Sequence, residues 1–231
     1  MNKKEKAVAV CDVLYRIYPD AVCALKWGHE SGNDPLDVML PDSWKLLVMA
    51  RLSAQCTDAR VNIVCEELFK KYTTGSQLAD CDISELEDII RPCGLFRTKA
   101  DSIKRSAILI RDEYGGTVPS DMDELLKLPG VGRKIANLLR GDIFGLPAVV
   151  ADTHCIRICG RLGFYPENQK DPEKTERILA ELLPPDRQSG FCHRIVEFGR
   201  DVCIARSPKC GECPLRELCD HINQGEQDEQ Q

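Results

Sequence analysis

Leu128-Pro129-Gly130-Val131-Gly132-Arg133-Lys134 is the stretch on which the fold turns. Two glycines flank one apolar residue, which allows a tight reversal and a close approach of backbone to another molecule. Upstream, Ser120-Asp121-Met122-Asp123 has the pattern of a helix start, with Ser120 as cap and Asp123 completing a capping box. Downstream, a helix opens at Arg133-Lys134 and continues through Leu138, Leu139 and Arg140. The whole segment, about 121–140, therefore reads as helix, hairpin, helix. The amides of Gly130, Gly132 and the first turn of the second helix lack intrahelical partners and converge on a site for one phosphate. A bare Gly-X-Gly is more often an ordinary turn between helices. Pro129 and the basic pair after Gly132 tilt the reading toward anion binding.

Working outward, helical periodicity is common and strand signals are few. Residues 42–55 carry a cap candidate at Asp42 or Ser43 followed by an apolar face. Segments 60–72, 83–91, 97–114, 172–183 and 189–204 also read as helices, punctuated by Gly115-Gly116, Pro119 and Pro184-Pro185. The expectation is an all-α protein. Residues 24–41, with Gly28, Gly32, Pro35 and Pro41, read as a loop. Residues 222–231 are polar and acidic and read as a disordered tail. No internal repeat is visible.

The chain has 231 residues and 43% hydrophobic content, enough for a proper core. It contains no run of eighteen apolar residues, so no membrane helix is expected. Asp12 and Arg16 interrupt the N-terminal apolar run that a signal peptide needs, which predicts a cytoplasmic protein. Thirteen cysteines, an odd number and mostly scattered, predict reduced thiols rather than a disulfide framework. The net charge of −6 argues at first against a polyanionic partner. The distribution changes that reading: residues 91–111 hold six basic side chains and one acid, a local +5. A polyanion feels the field within about 10 Å more than the global sum.

Cys203, Cys210, Cys213 and Cys219 form the pattern C-x6-C-x2-C-x5-C. Four thiolates suit either a tetrahedral zinc or a [4Fe–4S] cluster. Zinc sites tend to pair two short knuckles, whereas this pattern has one, inside a compact loop. Arg200, Arg206, Lys209 and Arg216 surround the same loop and predict contact with a phosphate backbone.

Leu128–Lys134 resembles the helix–hairpin–helix of the endonuclease III family of DNA glycosylases. The resemblance extends to Val149-Val150-Ala151-Asp152-Thr153-His154, which is similar to the family's aspartate motif although Ala151 stands where valine is usual. It also covers the cysteine spacing, and so implies a [4Fe–4S] cluster on Cys203, Cys210, Cys213 and Cys219. It implies two helical domains: 36–146, and 1–35 with 147–221, the latter holding the cluster loop 203–219. A catalytic cleft would lie between them. Lys134 would be the nucleophile that becomes a Schiff base, and Asp152 its partner in stabilising the transition state.

By the same resemblance, Gln55 in Leu52-Ser53-Ala54-Gln55-Cys56-Thr57-Asp58 and Leu95 in Gly94-Leu95-Phe96 would enter the duplex when a base is flipped out. Gly130, Val131, Gly132, Arg133 and His154 would contact the DNA. The implied activity is removal of oxidised pyrimidines from double-stranded DNA, followed by strand cleavage at the abasic site, by a protein acting as a monomer. Two alternatives stay open: a glycosylase for another lesion or mismatch, and a non-catalytic DNA-binding module. The second needs neither Lys134 nor Asp152.

Overall fold

A computed structural model describes residues 1–27 and 42–222, all helix and loop, with no strand among the described residues. Most of the segment expected as loop 24–41, the boundary expected at 35/36, and all but the first residue of the expected tail lie outside the described residues.

The chain divides into two compact units. One is Cys23–Gly145, in which the described residues form seven α-helices. These are α2 (Ser43–Leu52), α3 (Asp58–Lys71), α4 (Gly75–Ala79), α5 (Ile83–Ile90), α6 (Phe96–Glu113), α7 (Met122–Lys127) and α8 (Arg133–Asp142). Their apolar faces close on one core that includes Leu46, Met49, Leu68, Leu86, Ile103, Leu125 and Leu139. Fully burying side chains of this kind stabilises by about 1.5–3 kcal/mol each. The other unit is Met1–Val22 with Leu146–Gln231. It holds α1 (Lys3–Ile17), α9 (Thr153–Arg161), α10 (Pro172–Leu182) and α11 (Gln188–Asp201) around a core of Leu14, Ile158, Phe164, Leu179, Phe191 and Phe198.

Three local expectations are corrected. Asp121, not Ser120, caps α7: its carboxylate accepts from the amides of Asp123 and Glu124. The carbonyl of Ser120 instead accepts from Arg140 at 2.7 Å. Helix α11 stops at Asp201, three residues short of the expected end, because the amide of Cys203 turns back to the carbonyl of Phe198 at 2.8 Å. Helix α4 was not foreseen. Its five residues are too few to show periodicity, and a Thr74 cap and the burial of Leu78 hold it.

All thirteen cysteines are free. Cys11, Cys65, Cys81, Cys93, Cys155, Cys159 and Cys192 are buried. Burial pushes the Cys11 thiol up to about 12 and the Cys93 thiol up to about 11, so both are neutral space-fillers at physiological pH.

Candidate functional site

The hairpin between α7 and α8 is a type II turn. Pro129 supplies the fixed φ of its second position and Gly130 the left-handed third, at φ +80°. The amide of Val131 closes the turn on the carbonyl of Leu128 at 3.0 Å. A Cβ on Gly130 would sit 2.4 Å from Arg51 Nε, so only glycine fits. Gly132 serves differently. It caps α8 with extended backbone and no side-chain bond, and a Cβ added there would meet nothing within 4 Å. Helix α8 therefore starts, at the positive end of its dipole, from a residue with open space beside its α-carbon.

Lys134 lies in that first turn, exposed, and no hydrogen bond or ion pair among the described residues engages its amine. Arg133 stands beside it, partly buried and already partnered. Val131 departs from the expectation of DNA contact: its side chain is 8% exposed and packs in the core, and its amide is spent on the turn.

Gln55 and Leu95 share a property that no other non-glycine residue among those described has, a positive φ, at 56° and 47°. A left-handed L-residue costs roughly 1–2 kcal/mol. Both side chains are exposed, and Leu95 keeps 60% of its surface in solvent. Gln55 follows the end of α2, and Leu95 precedes α6 without capping it by a side chain. Two strained turns thus present an amide and an apolar side chain outward. Beneath them lies a residue the sequence reading treated only as local charge. Lys99 is fully buried, and its ammonium donates to the carbonyls of Leu52 at 2.8 Å and Cys93 at 2.9 Å. The signal that would have found it is its position: on the periodicity of α6, Lys99 falls on the same face as Ile103 and Ser106.

In the other unit, Asp152 caps α9, and its Oδ1 accepts from the Cys155 amide at 2.7 Å. The cap fixes the carboxylate at the helix start. His154, two residues on, is half-buried against Gly199, with Nδ1 3.3 Å from Arg157 Nη2. Burial holds its pKa below the ordinary imidazole value against the opposing pull of Asp152, so it is neutral at physiological pH.

Cys203, Cys210, Cys213 and Cys219 all line one cavity, floored by the apolar side chains of Ile158, Leu162, Phe198 and Leu215. Four thiols lining one cavity fit a cubane, which is bound at separate corners. Burial pushes the thiols of Cys213 and Cys219 up, so the thiolate form needs the positive charge that iron brings. Two arginines of α9 reach this loop. Arg161 donates to Cys203 Sγ at 3.3 Å and to the carbonyl of Ala205 at 2.9 Å, and Arg157 donates to the carbonyl of Cys203 at 2.9 Å. Of the basic residues expected to face phosphate, Arg200 pairs with Glu197, Lys209 lies 3.8 Å from Asp201, and Arg216 donates to the carbonyl of Cys210. Arg206 is exposed.

Residues 48–185 match the model of the HhH-GPD superfamily of base excision DNA repair proteins, and residues 203–219 match the iron-sulfur binding domain of endonuclease III. Endonuclease III of Synechocystis sp. is 42% identical over 94% of this chain and 93% of its own length. That of Bacillus subtilis is 41% identical over 85% and 90%. A trapped endonuclease III–DNA covalent intermediate superposes with a TM-score of 0.83 at 39% identity, covering 98% of this chain and all of the other. A thermostable thymine-DNA glycosylase has the same TM-score at 22% identity and shares the fold. The chain belongs to the endonuclease III family of helix–hairpin–helix DNA glycosylases. As such it is a DNA glycosylase and abasic-site lyase of base excision repair, it carries a [4Fe–4S] cluster, and its partner is damaged duplex DNA.

Proposed function

We propose that this glycosylase removes oxidised pyrimidines, with Lys134 as nucleophile and Asp152 as its carboxylate partner. The observation that carries the assignment is the exposed Lys134 amine in the first turn of α8, directly after an N-cap glycine that has no side-chain bond and open space beside its α-carbon. A phosphate held on the first amides of α8 brings the adjoining sugar to the lysine. The relative captured as a covalent intermediate with DNA supports covalent chemistry of this kind.

The chemistry follows from the groups. The Nζ lone pair attacks C1′ as the glycosidic C–N bond breaks, and the base leaves with that bond's electrons and takes up a proton. Positive charge grows on the sugar, and the carboxylate of Asp152 offsets it. Ring opening gives a protonated Schiff base between Nζ and C1′. It acidifies C2′–H, so loss of that proton expels the 3′ phosphate and cuts the strand. Water then releases the lysine. Gln55 and Leu95 enter the duplex to fill the gap the flipped base leaves. Gly130, Gly132 and Arg133 hold the backbone, and neutral His154 donates its ring N–H to a backbone oxygen. Cys203, Cys210, Cys213 and Cys219 hold the cluster, which staples the loop after α11 and takes no part in these steps. No helix among the described residues is long and apolar enough to cross a membrane, and the setting we propose is the cytoplasm.

The test is trapping with borohydride, which reduces the Schiff base to a stable protein–DNA adduct. Lys134→Gln should abolish both adduct and strand cleavage while keeping helix content and cluster absorbance. Asp152→Asn should slow base removal by about 10²-fold or more yet spare a pre-formed abasic site, where the glycosidic bond is already broken. A trapped adduct at the parent rate in Lys134→Gln would move the nucleophile to another residue.

A further inference from the structure

Lys99 is a charged side chain with no exposed surface, in the interior of the Cys23–Gly145 unit. Burying an ammonium in an apolar interior is costly unless its protons are used. Desolvation accordingly pulls the Lys99 pKa down, while Cys56 and Cys93 oppose that shift. A methionine would fill the same volume without this cost, so the amine must do something a thioether cannot. Its two hydrogen bonds show what that is. One goes to the carbonyl of Leu52 at the end of α2, three residues before Gln55. The other goes to the carbonyl of Cys93, two residues before Leu95. The two left-handed residues thus stand on turns pinned to the same nitrogen.

The pin belongs to a stripe. Ser102 and Ser106, three and seven residues on along α6, are also buried. Ser102 Oγ accepts from Arg51 Nε at 2.8 Å, and that arginine fills the space beside Gly130. Ser106 Oγ donates to the carbonyl of Pro129 at 2.9 Å. One face of one helix therefore sets both exposed turns and the hairpin.

We infer that Lys99 is a positioning residue for base extrusion: it ties the Leu52 and Cys93 carbonyls together and so holds Gln55 and Leu95 at a fixed separation for entry into the duplex. Two wedges that must enter one disrupted step of the double helix tolerate little relative drift, since displacements near 1 Å are enough to cost about 10²-fold in rate. Lys99 touches no DNA and acts through the turns it holds. The inference rests on the wedge reading of Gln55 and Leu95 given above.

The experiment compares the intact holoprotein with Lys99→Met and Leu95→Ala under single-turnover conditions on two duplexes. One carries thymine glycol in a base pair and the other a pre-formed abasic site. Fluorescence of a 2-aminopurine next to the lesion reads extrusion directly. Lys99→Met should slow extrusion and base removal by about 10- to 100-fold and change abasic-site cleavage by no more than about threefold. A role in folding alone would lower both activities together and leave the extrusion signal unchanged per folded molecule, which would overturn the proposal. If Leu95→Ala is selective for the paired duplex and Lys99→Met is not, the wedge stands and the positioning role falls. If Leu95→Ala is itself unselective, the wedge reading fails and this inference with it. Should Lys99→Met not fold, Lys99→Gln keeps a donor and carries the same comparison, with the same selectivity expected at smaller amplitude.

Discussion

Leu95 combines a strained backbone, which disfavours the folded protein, with an exposed apolar side chain, most of whose surface gains nothing from burial. The two features can be separated. Leu95→Ala removes the side chain but keeps a Cβ at φ 47°, whereas Leu95→Gly removes the strain as well. The glycine variant should therefore be more stable than the alanine variant by about 1 kcal/mol in denaturant unfolding. Both should extrude a paired base equally poorly. Equal stability of the two variants would show that the turn is not strained. The sequence alone showed only that Gln55 and Leu95 lie in motifs that resemble those of a known family; their shared left-handed backbone leaves no mark on residue identity, because neither is glycine or asparagine. Asp152 was legible as a candidate carboxylate through its motif, and the geometry adds that it caps α9. Lys99 was illegible: counted by charge it looks like surface, and only the carbonyls it binds, 47 and 6 residues away, explain its burial.

The hairpin shows how much of an element can be read and where reading stops. Pro129 and the two glycines announce the turn, because only certain residues satisfy its dihedrals. The division of labour between the glycines depends on what surrounds them. Gly130 faces Arg51, which comes from a helix some eighty residues earlier in the chain, and that packing is not local information. Gly130→Ala adds positive-φ strain to that overlap and should cost about 2–4 kcal/mol. Gly132→Ala projects into open space from extended backbone. It should change unfolding free energy by no more than about 1 kcal/mol, since it alters only an N-cap without a side-chain bond. Its methyl group would nevertheless stand where a phosphate approaches, so the Kd for an abasic duplex should rise by about tenfold or more. Intact binding in Gly132→Ala would mean that the phosphate sits elsewhere. Helices α2, α3, α5, α6, α10 and α11 were legible to within a few residues for the same local reason, repeating apolar positions, and the overshoot at α11 arose because the cluster loop folds back on its end.

Charge is legible in a sequence only as a sum, and at the scale of the whole molecule the sum misleads. The run 91–111 predicts a basic patch and hence a steep loss of DNA affinity with salt. In the fold those charges are largely spent inside the protein. Arg91 pairs with Asp88, Arg105 with Asp101, and Arg111 with both Asp80 and Asp112. Lys99 is buried, and Lys104 donates to the carbonyl of Cys81. The acids that balance these residues sit beside them, so the local field falls toward zero within a Debye length. A second run, 130–161, adds five basic residues, of which Arg140, Arg157 and Arg161 are likewise committed to carbonyls of their own units. What remains at the proposed interface is Lys134, the amide donors of α8 and Arg97, which is exposed two residues from Leu95 and 4.0 Å from Glu87, with Arg206 exposed on the cluster loop. Amides hold a phosphate without neutralising it by a full charge, so few counterions leave. Each phosphate neutralised adds about −0.9 to the slope of log K against log salt. Eleven freely available cations would give a slope near −10; the few left here predict about −2 to −4 between roughly 50 and 200 mM salt. Lys134→Gln should flatten that slope by about 0.9, measured on an abasic duplex by fluorescence anisotropy. A slope of about −8 or steeper for the parent protein would mean that the internal pairs open on binding and release their arginines to the phosphates.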